Sequence, residues 1–255
     1  MKITKSVIGL CSAGIRAATA HAGLTLLISM TTAHAESRPT VVELYTSEGC
    51  SSCPPADVYV GELAKRTDVL AISFHVDYWD DLGWRDTAAL PSATSRQRLY
   101  ARRLGLNSIF TPQIVVDGHE SFVGSDRTRI NPRLGLATAE LAIALSRQAD
   151  ELLVSVGSDR APNHNDVILI PFSRRSTSPV GRGENRGRTL EEFNVVRDLR
   201  TIGQTRAEPQ QWHVMMRSIP KDATDVAVLV QRAEQGEIVA AARLDLMSAP
   251  PSPPR

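Results

Sequence analysis

Residues 40–76 read TVVELYTSEGCSSCPPADVYVGELAKRTDVLAISFHV, and this stretch decides the fold. Residues 40–46 are β-branched and apolar, which predicts a buried strand. Pro54 and Pro55 suit the first turn of a helix, because the N–H that proline lacks has no partner there. Residues 69–76 are a second apolar run and predict a second strand. A strand, a helix and a strand in this order predict a βαβ unit, whose two strands are parallel.

The chain as far as residue 150 continues this α/β pattern. Beyond the first unit we expect four elements: a helix at 91–103, a strand at 113–116, a strand at 119–123 and a helix at 131–147. Asp117-Gly118 lies between the two strands and is a strong signal for a two-residue hairpin. The order β-α-β-α-β-β-α predicts an α/β domain over residues 36–150.

Residues 151–248 have a different texture and predict a β-rich C-terminal region. Short apolar segments alternate with turns there, and six of them are strand candidates: 152–156, 167–172, 193–199, 212–216, 226–231 and 238–244. Residues 173–188 contain five arginines among glycines and prolines and predict an exposed loop. Residues 249–255 contain four prolines and predict a disordered tail.

The overall composition excludes several classes of protein. The chain has 255 residues, of which 42% are hydrophobic, and 29 basic residues against 28 acidic ones. These values are ordinary for a globular protein, and the even charge balance argues against a nucleic-acid partner. After residue 35 no apolar run approaches the roughly 20 residues that a membrane helix needs, so we expect no integral membrane segment there.

Residues 1–35 have the three parts of a secretory signal peptide. Three basic residues and no acidic ones precede an apolar core at 22–30, and residues 33–35 read AHA, the small-x-small pattern of a cleavage site. Cleavage after Ala35 predicts a periplasmic or secreted protein. An uncleaved membrane anchor is the alternative, but the apolar core is too short to span a bilayer.

Removal of the signal peptide leaves one pair of cysteines, Cys50 and Cys53. The pair lies between a strand and a helix, so Cys50 is at a helix N-terminus, where free N–H groups and the helix dipole favour an anion. A thiolate there has a lowered pKa and is the reactive species. Cys53 lies one turn further on, where it can resolve a mixed disulfide, and Ser51 and Ser52 can donate hydrogen bonds to the thiolate. The spacing therefore predicts a redox-active dithiol.

Two other roles for the cysteine pair stay open. The first is a plain stabilising disulfide, although closing so short a loop stabilises the fold by only ~2 kcal/mol. The second is a metal site. His75 and Asp77 end the second strand at the edge of the sheet where the cysteine loop lies, and Cys50, Cys53 and His75 would suit copper or zinc. His75 is otherwise a hydrogen-bonded core histidine, and Asp77 begins an acidic and aromatic loop that could bind a ligand or fold inward.

Four segments together resemble a family of uncharacterised secreted bacterial proteins with a thioredoxin-like domain: VVELYTSEGCSSCPPAD, VDYWDDLGW, RQRLYARRLG and TPQIVVDG. The resemblance extends into the C-terminal region through GENRGRTLEEFNVVRDLRTIG. It implies a thioredoxin-like fold in which Cys50 is the attacking thiolate and Cys53 the resolving thiol. It also implies that Pro112, which follows Thr111, is a cis-proline that contacts the backbone of the substrate.

The same resemblance implies two features around the dithiol. Thioredoxins carry a buried acid in the strand before the dithiol, and Glu43 takes that place if the loop holds one extra residue. Without that extra residue the place falls to Leu44, and Glu43 is a surface side chain. Gly49 stands where thioredoxins have an aromatic residue before the first cysteine, which implies a more open site.

These observations predict an exported thiol–disulfide oxidoreductase that needs no bound cofactor, because the dithiol is itself the redox group. Its partner would be a protein or small-molecule thiol or disulfide. Two alternatives remain: a copper- or zinc-binding protein that uses the same cysteines, and a redox-sensing interaction module in which the C-terminal region docks a partner.

Overall fold

The computed structural model of the chain describes residues 38–159 and 164–248. The expected signal peptide, its cleavage point after Ala35 and the expected tail at 249–255 lie outside these residues. No helix in the described part of the chain is long and apolar enough to cross a membrane.

Helices are few and strands are many among the described residues. The first half contains β1 (Thr40–Thr46), α1 (Pro54–Leu63), β2 (Val69–His75), α2 (Pro91–Arg103), β3 (Gln113–Val116), β4 (Glu120–Val123) and α3 (Arg127–Ile130). The second half contains β5 (Ile143–Gln148), β6 (Glu151–Val156), β7 (Asn165–Pro179), β8 (Thr189–Val196), β9 (Arg200–Gln204), β10 (Gln210–Met215), β11 (Asp225–Arg232) and β12 (Ile238–Asp245). Short 3₁₀ turns lie at Asp80–Leu82, Asn131–Arg133 and Met216–Ser218.

A large mixed sheet forms the centre of the molecule. Its order is β12-β11-β7-β8-β2-β1-β3-β4, with β9 also paired to β7, and a separate sheet has the order β10-β6-β5. β1 and β2 are parallel, which confirms the βαβ prediction. β3 and β4 form an antiparallel hairpin in which Val116 pairs with Glu120, so the connection is residues 117–119 and not two residues. Asp117 and Gly118 lie at its centre with φ angles of 47° and 76°, the positive values typical of tight hairpin turns. The protein is a mixed α/β protein.

The central sheet is buried on both faces, and this arrangement positions the cysteine loop. Successive side chains of a strand point to opposite faces. Val42 and Leu44 of β1 pack in one core with α1, whereas Val41 and Tyr45 pack in another core with α2. Because α1 begins directly after the cysteine loop, the cysteines lie on the face that Leu44 shares.

The C-terminal region is rich in strands, as the sequence predicts, and several of these strands extend the central sheet. β8 pairs with β2 in parallel. Ile170 and Phe172 of β7 pack in one core with Ile72 and Phe74 of β2. The two halves of the chain therefore share a continuous sheet and one of its cores.

The helix expected at 131–147 is wrong. The chain forms only α3 and a 3₁₀ turn there, Gly135 adopts a φ of 77°, and residues 143–148 form β5, which pairs with β6. The apolar residues Leu141, Ile143 and Leu145 alternate with period two and face the core of the smaller sheet. Leu134, Leu141, Ala142 and Leu145 fit the helical period as well, and pairing with β6 selects the strand.

The exposed loop expected at 173–188 is also wrong in its first half. β7 continues through Pro179 and pairs with β8 as far as Thr189. The connection that remains, residues 180–188, is called the β7–β8 loop below. It is not wholly exposed, because Asn185 within it is fully buried.

Candidate functional site

The cysteine loop connects the end of β1 to the start of α1. Cys50 and Cys53 are joined by a disulfide, with their Cα atoms 5.4 Å apart. Cys53 is the N-cap residue of α1, and its carbonyl accepts hydrogen bonds from the N–H groups of Ala56 and Asp57. Both cysteines are fully buried. The site is thus a buried disulfide at the opening of a helix.

The two serines between the cysteines are exposed. Ser52 Oγ lies 3.3 Å from Cys50 Sγ, so it is placed to donate the hydrogen bond that the sequence predicts. Ser51 contributes its backbone instead, because its N–H donates to Glu184 of the β7–β8 loop.

Pro112 lies beside the first turn of α1. The Thr111–Pro112 peptide bond is cis, as the resemblance implies. A Cβ added at Gly124 would lie 3.0 Å from the Cβ atoms of both Pro112 and Ala56. Because Ala56 follows Cys53 by three residues, these contacts place Pro112 next to the helix that carries the disulfide.

Trp79 fills the space that Gly49 was expected to leave open. A Cβ added at Gly49 would lie 3.3 Å from Trp79 Cβ, and Trp79 Nε1 donates to Thr111 Oγ1 at 2.8 Å. The small residue before Cys50 therefore admits a tryptophan from a neighbouring loop. The aromatic residue comes from another segment of the chain.

Glu43 lies away from the disulfide, on the opposite face of the sheet from α1. It is fully buried and accepts two hydrogen bonds from Arg96, at 2.6 and 2.8 Å. Tyr45 and Tyr100 also donate to it. The alternation along β1 directs Leu44, and not Glu43, toward the face of the dithiol. Glu43 is therefore part of a buried ion pair and is neither a surface side chain nor a neighbour of the cysteines.

Asp77 takes a structural place near the start of α2. Its carboxylate accepts a hydrogen bond from Thr94 Oγ1, and the Thr94 hydroxyl in turn accepts one from the backbone N–H of Asp77. The loop that follows folds inward, since Tyr78 and Trp79 pack against the core. The structure does not bring Asp77 to the disulfide.

A group of buried ionisable side chains lies on the α1 face, next to the cysteine loop. We call it the acid–histidine cluster, and its members are Glu48, Asp57, His75, Asp86 and Glu192. They come from the cysteine loop, α1, β2, the loop before α2 and β8. Asp57 follows Cys53 by one helical turn, so the two side chains share one side of α1.

Hydrogen bonds connect His75, Asp86 and the backbone of Glu48 within this cluster, and Glu192 lies close to His75 without a hydrogen bond. His75 Nδ1 lies 2.7 Å from Asp86 Oδ2, which also accepts the backbone N–H of Glu48 at 2.9 Å. His75 Nε2 lies 3.7 Å from Glu192 Oε1. Asp57 accepts a hydrogen bond from Thr46 at the end of β1. His75 is therefore a paired core histidine that links two acids.

Burial and mutual attraction shift the pKa values in the cluster. Burial raises the pKa of Asp57 to about 7 and that of Glu192 to about 7. Burial lowers the pKa of His75, but attraction to Asp86 and Glu192 outweighs it, and the pKa is raised to about 10. The charge of His75 in turn holds the pKa of Asp86 below its usual value, against the effect of burial. Near neutral pH, Asp57 and Glu192 can therefore each take up or release a proton.

Several buried polar atoms of the cluster have no hydrogen-bond partner among the described residues. They are His75 Nε2, both carboxyl oxygens of Glu192 and Glu48 Oε1. Buried polar groups are almost always paired, so this cluster is an exception that points to function. No group of three or more His, Cys, Asp and Glu side chains within 38–159 and 164–248 is arranged to hold a metal ion. The alternative set of Cys50, Cys53 and His75 is accordingly not assembled.

An open groove runs beside the first turn of α1. It is lined by Pro54, Asp57 and Val58 of α1 and by residues 188–191 at the start of β8, and its volume is 480 Å³. Asp57 is buried yet forms part of this wall, so the groove gives the cluster a route to solvent.

Sequence reasoning found the cysteines, Pro112 and His75 but missed the acids that surround His75. Asp57 could have been found, because its position four residues after Cys53 places both on one side of a helix. Glu192 lies far away in sequence, and only the pairing of β8 with β2 brings it to His75. No local pattern marks such a residue.

Fold and site together define the class: a mixed α/β protein with a disulfide at a helix start above a buried acid–histidine cluster. Residues 41–231 match the family described as Protein of unknown function (DUF1223), and the chain belongs to that family. A search of the curated proteins finds none that matches.

Two solved structures are similar to this chain. The crystal structure of protein AGR_C_4864 from Agrobacterium tumefaciens is 31% identical, with a TM-score of 0.72, and the match covers 82% of this chain and 95% of that one. HBP35 of Porphyromonas gingivalis is 15% identical, with a TM-score of 0.57, and the match covers 86% of this chain and 79% of that one. The second likeness concerns the fold alone.

Proposed function

We propose that the protein is an exported thiol–disulfide oxidoreductase with a thioredoxin-like arrangement around its cysteines. One observation carries the proposal: the Cys50–Cys53 disulfide opens α1, and the buried carboxyl group of Asp57 lies one turn after Cys53 on the same side of the helix. A partner would be a thiol or disulfide of a protein or small molecule. A periplasmic or extracellular location belongs to the proposal, because disulfides persist in oxidising compartments.

The reaction proceeds by two exchanges at sulfur. A thiolate of the partner attacks Cys50 Sγ, a bond forms between the two sulfurs, the Cys50–Cys53 bond breaks, and Cys53 leaves as a thiolate. A second thiolate of the partner then attacks the partner's own sulfur in this mixed disulfide and releases Cys50 as a thiolate. The partner dithiol loses two electrons and becomes a disulfide, and the protein gains both electrons. In reverse, the reduced protein reduces a partner disulfide.

Asp57 supplies the proton that the leaving Cys53 thiolate takes up. An acid or base works best when its pKa lies near the working pH, and the pKa of Asp57, at about 7, meets that condition. In the reverse direction Asp57 accepts the proton from Cys53. Glu192 belongs to the same buried cluster, and because its pKa is also about 7 it takes up or releases a proton in the same pH range; the groove leads to solvent.

The test follows the covalent intermediate. In Cys53→Ser the thiol that resolves the mixed disulfide is missing, so a complex between Cys50 and a protein substrate should accumulate and appear as a heavier band on a non-reducing gel. Cys50→Ser should form no such complex and should reduce a protein disulfide only at the background rate. Met247→Ala, a change at an exposed side chain after β12, is the control and should keep activity. Unchanged activity in Cys50→Ser would refute the proposal.

A second candidate is a redox-sensing interaction module, and one contact favours it. Asn185 of the β7–β8 loop donates to the carbonyl oxygen of Cys50. A movement of the Cys50 backbone on reduction of the disulfide would therefore shift the C-terminal region. Loss of a bound partner on reduction, without turnover of any disulfide substrate, would favour this candidate over the oxidoreductase.

A further inference from the structure

The β7–β8 loop lies across the cysteine loop and holds it by side-chain hydrogen bonds. Asn185 Nδ2 donates to the carbonyl oxygens of Glu48 and Cys50, each at 2.9 Å. Glu184 accepts a hydrogen bond from the N–H of Ser51 at 3.1 Å. These contacts join the C-terminal region to both sides of Cys50.

The β7–β8 loop is itself held in this position. Asn185 is fully buried although it lies in a loop, and its Oδ1 accepts a hydrogen bond from Arg188 at 2.9 Å. The N–H of Gly187 donates to the carbonyl of Val180, which closes the base of the loop. The loop is thus a formed structure whose buried amide group has all of its partners in the closed position.

Trp84 packs against the same loop. A Cβ added at Gly181 or Gly183 would lie 3.3 or 3.2 Å from the Trp84 side chain, so the glycines let the indole approach closely. Trp84 Nε1 donates to Glu48 Oε2 at 2.6 Å. The cysteine loop, Trp84 and the β7–β8 loop therefore form one closed layer.

This closed layer conflicts with direct attack on the disulfide. Neither Cys50 nor Cys53 has any exposed surface, and exchange requires a thiolate to approach a sulfur atom along the S–S axis. Asn185 and Glu184 hold the β7–β8 loop against the cysteine loop by hydrogen bonds of their polar side chains. These bonds can be exchanged for hydrogen bonds to water when the layer opens. Access to sulfur thus depends on that opening.

We propose that Asn185 and Glu184 are specificity-determining residues that hold the β7–β8 loop as a gate over the disulfide. The inference concerns the site of the proposed function, but it requires only that the disulfide be reducible. A small reductant needs a small opening, whereas a protein reductant needs the loop to move away from Cys50. The gate therefore slows large partners more than small ones.

The experiment measures the rate of reduction of the oxidised mature protein by two probes, dithiothreitol and a reduced thioredoxin. Asn185→Ala removes two hydrogen bonds across the gate and should speed reduction by dithiothreitol about tenfold. Reduction by thioredoxin should accelerate by a larger factor, so that the ratio of the two rates changes. Glu184→Ala, a change at an exposed side chain, should give the same pattern with a factor of about three.

Two controls separate a gate from a general loss of stability. Arg186→Ala changes an exposed side chain of the same loop that has no hydrogen bond or ion pair to the described residues, and it should leave both rates unchanged. Val228→Ala weakens the core that the central sheet shares with the smaller sheet and should lower the midpoint of unfolding without changing the ratio of the two rates.

The result separates this inference from the proposed function. Faster reduction with a shifted ratio in both gate variants supports the gate, even if no variant turns over a disulfide substrate. Unchanged rates in Glu184→Ala and Asn185→Ala, or an equal acceleration for both probes, would overturn the gate and leave the exchange chemistry standing. If Asn185→Ala does not fold, Glu184→Ala alone decides.

Discussion

Two buried acids of the first βαβ unit have different roles, although only one of them was expected from the sequence. Glu43 is paired with Arg96 and two tyrosine hydroxyls on one face of the sheet. Asp57 lies on the other face, beside the cysteines, and burial raises its pKa to about 7. The strand alternation at Glu43 and the helical spacing at Asp57 account for the difference. In the proposed function, Asp57 and not Glu43 is therefore the acid that serves the dithiol.

Removing the acid of the buried ion pair should destabilise the fold and leave the dithiol unchanged. Glu43→Ala leaves the Arg96 charge buried without its carboxylate, which costs about 3–5 kcal/mol of the free energy of unfolding. Urea unfolding measures this loss. Glu43→Gln keeps a hydrogen-bond acceptor and should cost less. A shift in the reduction potential of the cysteines in either variant would contradict this division of roles.

Asp57 should make the fold less stable as the pH rises. Its pKa is about 7 in the folded protein and about 4 in the unfolded chain, so between these values the folded state keeps a proton that the unfolded state loses. Stability therefore falls from pH 4 to pH 7 and then levels off, by at most about 4 kcal/mol.

Asp57→Asn removes this pH dependence without adding charge. Urea unfolding gives the difference in free energy of unfolding between the oxidised variant and the unmodified protein at each pH. This difference should favour the variant more at pH 7.5 than at pH 4.5. Asp68→Asn, a change at a half-exposed carboxyl outside the cluster, is the control and should show no such gain. Equal differences at both pH values would mean that Asp57 is ionised in the folded protein.

Among the elements, those whose apolar pattern fits one period were predictable from the sequence. β1, α1 and β2 fit one period each, and Asp117-Gly118 is a residue pair that favours the positive φ angles of a tight hairpin turn. β5 was not predictable, because Leu134, Leu141, Ala142 and Leu145 fit one face of a helix whereas Leu141, Ile143 and Leu145 fit a strand, and pairing with β6 decides between them. The site follows the same rule: the cysteines and Pro112 are local signals, whereas Glu192 and Asn185 reach the site only through tertiary structure.

The packing of α1 on β8 depends on a glycine. A Cβ added at Gly61 would lie 2.5 Å from the ring of Phe193. Gly61→Ala should therefore lower the free energy of unfolding by about 1–3 kcal/mol, even though alanine favours a helix by about 1 kcal/mol over glycine. Val58→Ala, at an exposed position of the same helix, is the control and should change little. A stabilised Gly61→Ala variant would contradict close packing of the two elements.

At the scale of the whole molecule, the C-terminal region completes the site that the N-terminal half begins. It supplies Glu192 to the acid–histidine cluster and Asn185 to the cysteine loop, and its strands continue the central sheet. Because both halves share one core, the C-terminal region is as much a part of the dithiol site as α1. An isolated N-terminal half would lack the wall of the groove, the gate and part of the cluster.

The reduction potential of the Cys50–Cys53 pair tests the central claim most directly. It is measured on the metal-free mature protein by thiol trapping across a series of glutathione redox buffers. If the pair exchanges electrons with a partner, one two-electron transition is expected between about −120 and −270 mV, the range of exchange catalysts. A potential below about −300 mV, typical of structural disulfides, would contradict the proposal that this pair exchanges electrons with a partner.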